Sequence, residues 1–182
     1  GLIAANEITT GMGRTGKWFG FQHYDIQPDI VSLGKGLGNG YPVSAVAMRR
    51  EVAEKLEQDG FRYVQSHQND PLGCAIAKEV IAIFREEFWV EKGDAKGQWF
   101  LDGLKQLKRH EVVKEARGRG MELALEFQPQ LSAASVYQTL LETRFLVGYY
   151  PAGNILRFDP ALTIEQEDIA HLLECLDSML EM

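Results

Sequence analysis

Cysteine is scarce in this sequence, and its scarcity argues against a fold that disulfides hold together. The chain has two cysteines among its 182 residues, Cys74 and Cys175. They lie far apart, and each falls inside an apolar pattern typical of a helix. A disulfide framework needs several paired cysteines in a secreted chain. The sequence therefore indicates a reducing compartment, and the cytoplasm is the expected location.

An excess of positive charge is absent, and so are long apolar runs. The chain has 19 Lys and Arg residues against 26 Asp and Glu residues, which gives a net charge of −7. Such a chain offers no broad positive field for a nucleic acid or an anionic membrane. No apolar run approaches the roughly 20 residues that cross a bilayer. We therefore expect neither nucleic-acid nor membrane partners, and the sequence suggests no metal site.

The first residues suggest that the chain is a piece of a longer protein. The sequence begins with Gly1 rather than methionine and runs directly into an apolar, strand-like segment. A buried strand of a parallel sheet usually has neighbours on both sides. We therefore expect some of the neighbouring strands to be encoded upstream.

The first half of the chain carries the pattern of an α/β domain. Short apolar runs bounded by glycine and proline predict buried strands at residues 2–8, 29–33 and 43–48. Asp70 and Pro71 are typical of a helix N-cap and a first helical residue. The following apolar residues recur at helical spacing, as do those of a later stripe: Leu72, Ile76, Val80 and Phe84, then Phe100, Leu101, Leu104 and Leu107.

The second half predicts a smaller α+β domain. Apolar and polar residues alternate over residues 121–127, the period of a strand with one buried face. Helices are expected at 132–145 and 163–180, the latter with Thr163 and Gln166 as a capping box, and a short strand at 155–158. The expected domains are residues 1–96 and 97–182. The predicted fold class is α/β, followed by this small α+β domain.

A first glycine motif, at residues 11–16, resembles two nucleotide-binding signatures but satisfies neither. It matches the dinucleotide fingerprint, yet aromatic residues and a glycine follow where a helix should receive the pyrophosphate. It also approaches a P-loop, but Trp18 stands where a serine or threonine must bind magnesium. The sequence therefore disfavours both nucleotide sites.

A second glycine cluster surrounds Lys35 at the end of a predicted strand. Gly34 and Gly36 flank this lysine, and glycines allow a bulky ligand to approach the backbone. Apolar surroundings lower the pKa of a lysine toward that of a nucleophilic amine, as Schiff-base chemistry requires. Spacing alone nevertheless favours a simpler interpretation, a solvated lysine in a flexible turn.

Five blocks of sequence, in order, resemble the class III aminotransferases. They are Asn6 to Gly16 with Pro28 to Val31, Gly34 to Gly38, Asn69 to Leu72, Arg117 to Met121, and Ile155 to Phe158 with Pro160. The resemblance covers nearly the whole chain. It implies the C-terminal part of a fold-type I large domain followed by the small domain, with pyridoxal 5'-phosphate (PLP) as cofactor. Such enzymes are usually homodimers that move an amino group from an amino donor to a keto acid or aldehyde.

The resemblance also assigns roles to single residues. Lys35 would form the Schiff base with PLP and then move the proton at the substrate α-carbon. Ile8 would pack against one face of the pyridine ring. Ser66 would reach the cofactor phosphate of the neighbouring subunit in place of the usual threonine, although a plain polar loop is the alternative at this position. Arg157 would bind a substrate carboxylate or pair with an acidic gate residue, the alternative being an exposed arginine on an edge strand.

Two positions depart from the family pattern. Asn6 stands where the family commonly has an aspartate that keeps the pyridine nitrogen protonated, and an amide carries no charge for that task. Thr9 replaces a glutamine and offers its hydroxyl to the phenolic oxygen of the cofactor, with a shorter reach. We therefore expect an altered environment for the cofactor ring.

Other functions remain open at this point. Asn6 leaves room for a racemase, epimerase or decarboxylase that uses the same cofactor. A non-catalytic binding or regulatory protein derived from the fold is a further alternative, against which the retained Lys35 argues. The sequence does not name the amino donor.

Overall fold

The structure, a computed structural model, describes residues 1–181. The chain divides into two compact units, Gly1–Val90 and Glu91–Met182. None of the helices formed by residues 1–181 is long and apolar enough to span a membrane. Each unit has its own sheet.

The first unit is built on a three-stranded sheet in the order β1-β2-β3. Its strands are β1 (Ala4–Asn6), β2 (Ile30–Leu33) and β3 (Ala45–Met48). β1 and β2 are parallel, with Asn6 beside Ser32, whereas β2 and β3 are antiparallel. These strands are shorter than the runs that predicted them. No residue of β1 or β2 is fully buried and every residue of β3 is exposed, so the expectation of buried strands is wrong for all three within this chain.

Two helices follow β3, and the sequence predicted only the second of them. α1 (Arg50–Gln58) is a charged surface helix with no buried residue, and no apolar run predicted it. α2 (Pro71–Glu86) begins as expected, because the Asp70 side chain accepts a hydrogen bond from the Leu72 amide. α2 contributes Val80 to a small apolar cluster with Met12 and Leu37. Partly buried apolar residues pack around that cluster: Trp18, Leu33, Val43, Ile76, Ala77 and Phe84.

The second unit is built on an antiparallel sheet in the order β4-β5-β7-β6. The strands are β4 (Val113–Arg119), β5 (Glu122–Phe127), β6 (Gly148–Tyr150) and β7 (Ile155–Phe158). The alternation predicted for β5 is confirmed, because Leu123, Leu125 and Phe127 are buried and the residues between them are half-buried. The side chains on one face of the sheet therefore form part of the core of the second unit.

Helices cover that face. They are α3 (Trp89–Gln106), which begins just before the second unit, α4 (Ala133–Glu142) and α5 (Gln166–Leu180). Nine large side chains are almost completely buried: Phe100, Leu104, Met121, Leu123, Leu125, Leu140, Leu156, Ile169 and Leu176. All of them belong to this unit. Interleaved helix and sheet side chains of this kind supply most of the stability of a small domain.

The starts of the two later helices show how local chemistry sets a boundary. Ser132 caps α4 by accepting a hydrogen bond from the Ala134 amide. The capping box predicted for Thr163 and Gln166 is wrong. Glu165 is the N-cap of α5 and lies in an extended conformation with no side-chain cap. The helix therefore begins later than the box requires, and Thr163 lies in the preceding turn.

A single amide fastens the connection between β5 and α4. Asn154 adopts a left-handed conformation with φ 51°. Its Nδ2 donates to the carbonyl oxygens of Phe127, Gln128 and Leu131, and its Oδ1 accepts from the Ala133 amide. Asparagine tolerates left-handed backbone better than most residues. This position therefore satisfies backbone groups that the connection leaves unpaired.

Candidate active site

Lys35 lies just beyond the carboxyl end of β2, in a short 3-10 turn over Lys35–Leu37. Its backbone is left-handed, with φ 42°. For a lysine this conformation costs roughly 1–2 kcal/mol, and residues held in this way concentrate at functional sites. The turn directs the Lys35 side chain back toward the segment that follows β1. In open α/β sheets, ligands bind beyond the carboxyl ends of the parallel strands.

The Lys35 amine lies next to a hydroxyl group. Its Nζ donates to Thr9 Oγ1 at 2.7 Å. Among the residues that the structure describes, no carboxylate is within ion-pair distance of Lys35 Nζ. A lysine without an anionic partner keeps its amine available for covalent chemistry.

Asn6 and Ile8 lie beside this pair. Asn6 ends β1, and its Oδ1 accepts a hydrogen bond from the Ile8 amide at 3.2 Å. That bond leaves the Asn6 Nδ2 group, a donor only, to face other partners. A Cβ atom on Gly34 would lie 3.6 Å from Ile8 Cγ2, so Ile8 packs close to the backbone that precedes Lys35. Sequence-predicted residues from two separate blocks therefore meet at one end of the sheet.

Sequence reasoning missed Glu7, which organises the loop after β1. Glu7 is 4% exposed. Its carboxylate accepts hydrogen bonds from the Gly20 and Phe21 amides at 2.8 Å each, and from the Thr10 hydroxyl at 2.6 Å. Such charge-assisted bonds are stronger than neutral ones. The available signal was an acidic residue inside an apolar run, which needs internal donors if it is buried.

An open cavity of about 380 Å³ adjoins Lys35. Its lining residues are Lys35, Gly36, Asn39, Gly40, Tyr41, Pro42 and Val43. Gly38 precedes the lining residue Asn39, and a Cβ atom on Gly38 would be 2.1 Å from the Tyr41 carbonyl oxygen. This glycine is therefore required by the close approach of the chain to itself. The glycine cluster shapes the loop as well as leaving room for a ligand.

Ser66 lies away from this group of residues. It belongs to an exposed turn over residues 66–69, and it does not line the cavity next to Lys35. Its neighbours Phe61, Tyr63 and Val64 are also exposed. The structure therefore does not bring Ser66 to Lys35 within the first unit.

Arg157 lies in the middle of β7, in the second unit. Its Nη1 donates to the Tyr150 hydroxyl at 2.7 Å, and its Nη2 donates to Asp159 Oδ2 at 2.8 Å. The guanidinium carbon lies 5.3 Å from the centre of the Tyr150 ring, which is within cation–π range. β7 lies between β5 and β6, so Arg157 is not on an edge strand, and two neighbouring side chains hold it in place.

Charged groups with shifted pKa values lie on the surface of the second unit. Hydrogen bonds from Lys114 and Arg117 lower the pKa of Glu126. The hydrogen bond from His110, supported by the charge of Arg109, lowers the pKa of Asp177 although partial burial opposes the shift. Both groups join neighbouring elements of one unit, so their shifts reflect ion pairs that stabilise the fold.

The sequence profile of the class III aminotransferases matches this chain over residues 2–180. The chain belongs to this family. Enzymes of the class III aminotransferase family depend on PLP. The fold class predicted from the sequence is confirmed as well.

Two curated relatives of this class III chain are acetylornithine aminotransferases. The protein from Caldanaerobacter subterraneus is 36% identical over 180 residues, which are 98% of this chain and 44% of the relative. The protein from Methanocaldococcus jannaschii is 33% identical over 179 residues, which are 98% and 44% of the two chains. The chain therefore spans less than half the length of the curated relatives that it matches.

Solved transaminase structures share the fold of this class III chain. A transaminase from the marine bacterium Virgibacillus superimposes with a TM-score of 0.90 at 31% identity, covering 99% of this chain and 45% of that one. An aminotransferase from Bacillus anthracis also gives 0.90 at 31% identity, with 99% and 44% covered. The ornithine delta-aminotransferase of Plasmodium falciparum gives 0.87 at 30% identity, with 99% and 46% covered.

Proposed function

We propose that this chain is the C-terminal part of a PLP-dependent aminotransferase that moves an amino group from an amino donor to a keto acid or aldehyde. One observation carries the proposal. The Lys35 amine lies beyond the parallel strands, 2.7 Å from the Thr9 hydroxyl and without a carboxylate partner among the described residues. Family membership supports the same conclusion.

The residues around Lys35 fit the cofactor. Lys35 would attach PLP through its Nζ, and the Thr9 hydroxyl beside it would donate to the phenolic oxygen of the cofactor. Ile8 would cover one face of the ring, and Asn6 would meet the pyridine nitrogen. When bound, PLP supplies an electron sink for the substrate α-carbon. The left-handed turn at Lys35 and the close packing of Ile8 on Gly34 support this arrangement.

Lys35 has a second task in the proposed reaction. When it is not bonded to the cofactor, its Nζ would accept a proton from the substrate α-carbon and hold it as an ammonium group. The Thr9 hydroxyl would orient that amine during the transfer, because a hydroxyl both donates and accepts hydrogen bonds. Asn6 contributes no charge to this step.

Substrate and subunit contacts complete the proposal. Arg157 would bind the substrate carboxylate, since a planar guanidinium grips a carboxylate with two hydrogen bonds. Ser66 would reach the phosphate of the cofactor in a neighbouring subunit, and its exposed turn supports a role in a homodimer. The proposed domains are residues 1–96, the end of the large domain, and 97–182, the small domain. The proposed location is the cytoplasm.

A racemase, epimerase or decarboxylase with the same cofactor is the second candidate, and Asn6 is the observation that favours it. The Oδ1 of Asn6 is used by the Ile8 amide. The remaining Nδ2 can only donate, so it would favour an unprotonated pyridine nitrogen and a weaker electron sink. Assays of the complete enzyme for keto-acid formation, loss of optical activity and release of carbon dioxide separate these reactions.

Reductive trapping tests the role of Lys35. Borohydride added to the complete enzyme with PLP should leave the pyridoxyl mass on the peptide that contains Lys35. Lys17→Ala is a matched control, because within residues 1–181 the Lys17 amine bonds only to the backbone carbonyl of Gln22, at 3.0 Å. Lys35→Ala should abolish the label, whereas the control should retain it. A label spread over surface lysines would refute the assignment.

A further inference from the structure

The surroundings of Arg157 contain their own carboxylate. Asp159 follows Arg157 by two residues, and its Oδ2 accepts from Nη2 at 2.8 Å. Both side chains are 34% exposed, so this ion pair is open to solvent and to ligands. On the other side, Nη1 donates to the Tyr150 hydroxyl at 2.7 Å. Both terminal nitrogens of the guanidinium are therefore engaged before any substrate arrives.

The inner edge of the guanidinium is closed by the edge strand. Gly148 of β6 lies opposite Arg157 in the sheet register. A Cβ atom on Gly148 would lie 3.1 Å from Arg157 Cβ and 3.5 Å from Nε. Arg157 Nε is buried and has no hydrogen-bond partner among residues 1–181. A ligand can therefore reach only the terminal nitrogens, where Asp159 and Tyr150 already bind.

We propose that Asp159 is an internal counter-ion that competes with the substrate carboxylate for Arg157, and that Tyr150 is a positioning residue for the guanidinium. The inference rests on the proposed role of Arg157 in binding that carboxylate. While Asp159 is paired, an incoming carboxylate meets a neutral group. A donor that has a carboxylate must displace or share Asp159, whereas a primary amine without one does not.

Charge and exposure determine the size of this competition. Exposed ion pairs are weak, so a second carboxylate displaces Asp159 at a modest cost. Tyr150 acts in the opposite direction, because it brings no charge that would neutralise Arg157. Its ring supports the guanidinium, and its hydroxyl accepts from Nη1 and so orients that nitrogen, whose second hydrogen stays available to a ligand. Asp159 therefore lowers the preference for carboxylate-bearing donors, and Tyr150 raises it. The two residues should respond to substitution with opposite signs.

Steady-state kinetics of the complete holoenzyme test the pair. Asp159→Asn should lower KM for a carboxylate-bearing donor about two- to fivefold, while kcat and the KM for a primary amine stay unchanged. Tyr150→Phe should raise KM for the carboxylate donor and leave the amine unaffected. Asp102→Asn is the matched control, since Asp102 pairs with Lys105 on the surface of α3. Equal changes for both donors would indicate a purely structural role and overturn the inference.

Direct binding gives a readout that needs no turnover. Calorimetry with propionate, an unreactive carboxylate, should show tighter binding to Asp159→Asn and weaker binding to Tyr150→Phe than to the unmodified holoenzyme. Asp159→Ser provides a second variant if the first fails to fold. Absent or unchanged propionate binding refutes the inference even if transamination is observed. The predicted changes in binding without any transamination would refute the proposed function and leave the inference standing.

Discussion

The two units of the chain differ in how completely they enclose their own apolar surface. In Glu91–Met182, helices and a four-stranded sheet bury a set of large side chains almost completely. In Gly1–Val90, the compact apolar cluster centres on Met12, Leu37 and Val80, and the strands of the sheet stay partly or fully exposed. Glu91–Met182 therefore encloses its own apolar core, whereas Gly1–Val90, the open unit, leaves much of its sheet exposed.

The proposed chemistry lies mainly in the open unit. Lys35, Thr9, Asn6 and Ile8 all belong to it, whereas the residues that carry most of the buried surface belong to the other. Strained backbone at Lys35 and an open cavity are costs that a site imposes on its surroundings. Folding stability and the cofactor site should therefore respond to different residues.

Separating the two units should have the largest effect on cooperative unfolding. A polypeptide of residues 89–182, which keeps α3 intact, should unfold in one cooperative transition, because its core is internal. A polypeptide of residues 1–88 should lack such a transition, since it buries little apolar surface. Thermal melts followed by circular dichroism measure both. A cooperative melt of residues 1–88 alone would remove the contrast between the units.

A core substitution should separate stability from the site. Leu125 is 0% exposed, and Leu125→Ala should destabilise the second unit by about 2–5 kcal/mol through lost burial and a residual cavity. Val46→Ala is the matched control in the first unit, because Val46 is 62% exposed and such changes stay within about 0.5 kcal/mol. Denaturant unfolding of the 182-residue chain provides the measurement. Equal losses for both variants would contradict the comparison.

Asn6→Asp should change the cofactor site and leave folding stability nearly unaltered, the opposite of Leu125→Ala. A carboxylate beside the pyridine nitrogen would hold it protonated, and the pH titration of the bound cofactor's absorbance should move upward by about one unit, equivalent to about 1.4 kcal/mol. Melting of the 182-residue chain without PLP should hardly change, because Asn6 is exposed there.

Gln58→Glu is the control for this change, since it adds the same charge on the exposed surface helix α1. If Asn6→Asp binds PLP but leaves the spectrum and its pH profile unaltered, Asn6 does not contact the ring nitrogen.

The smallest effect is expected at Asp177, which joins α5 to the segment before β4. Its carboxylate binds His110 at 2.7 Å and also pairs with Arg109. The His110 hydrogen bond lowers the pKa of Asp177 from its usual 3.8, so the ionised pair stabilises the fold above that value. That contribution is lost as the pH falls through the lowered pKa of the folded state.

Asp177→Asn should therefore lower the melting temperature at pH 7, for a loss below about 1 kcal/mol. The difference in melting temperature between Asp177→Asn and the unmodified protein should narrow as the pH falls from 5 toward 3. Asp102→Asn, which alters an exposed pair on α3, is the control. A gap that stays constant over this range would show that the charge of Asp177 contributes nothing.

Local chemistry was readable from the sequence where one short segment decides the outcome. Asp70 with Pro71 predicted the start of α2, and the alternation over 121–127 predicted β5. α1 was not predicted, because its charged face packs little apolar surface and leaves no strong periodic run. The capping box at Thr163 was predicted wrongly, because such a box describes only local hydrogen bonds, whereas the preceding turn determines where α5 begins.

The contacts within the candidate site could be predicted only in part. The sequence singled out Lys35, Asn6, Ile8 and Thr9, but the bond between Lys35 and Thr9 joins residues 26 positions apart and depends on left-handed backbone. Long-range contacts of this kind depend on the strand register, which short runs without a clear alternation of buried and exposed residues specify only weakly.

The same limit applies to Arg157. A strand pattern does not indicate that Tyr150, in the neighbouring strand, and Asp159 would hold its side chain.

The amide of Asn154 has a consequence for loop length. Its Nδ2 and Oδ1 reach three carbonyl oxygens and one amide between residues 127 and 133. Surface connections usually tolerate inserted residues, because each doubling of loop length costs only about 0.6 kcal/mol of closure entropy. Here an insertion would move several backbone partners out of reach of one fixed side chain. The connection between β5 and α4 is therefore a poor place for an epitope tag or a circular-permutation break, although it lies in a loop.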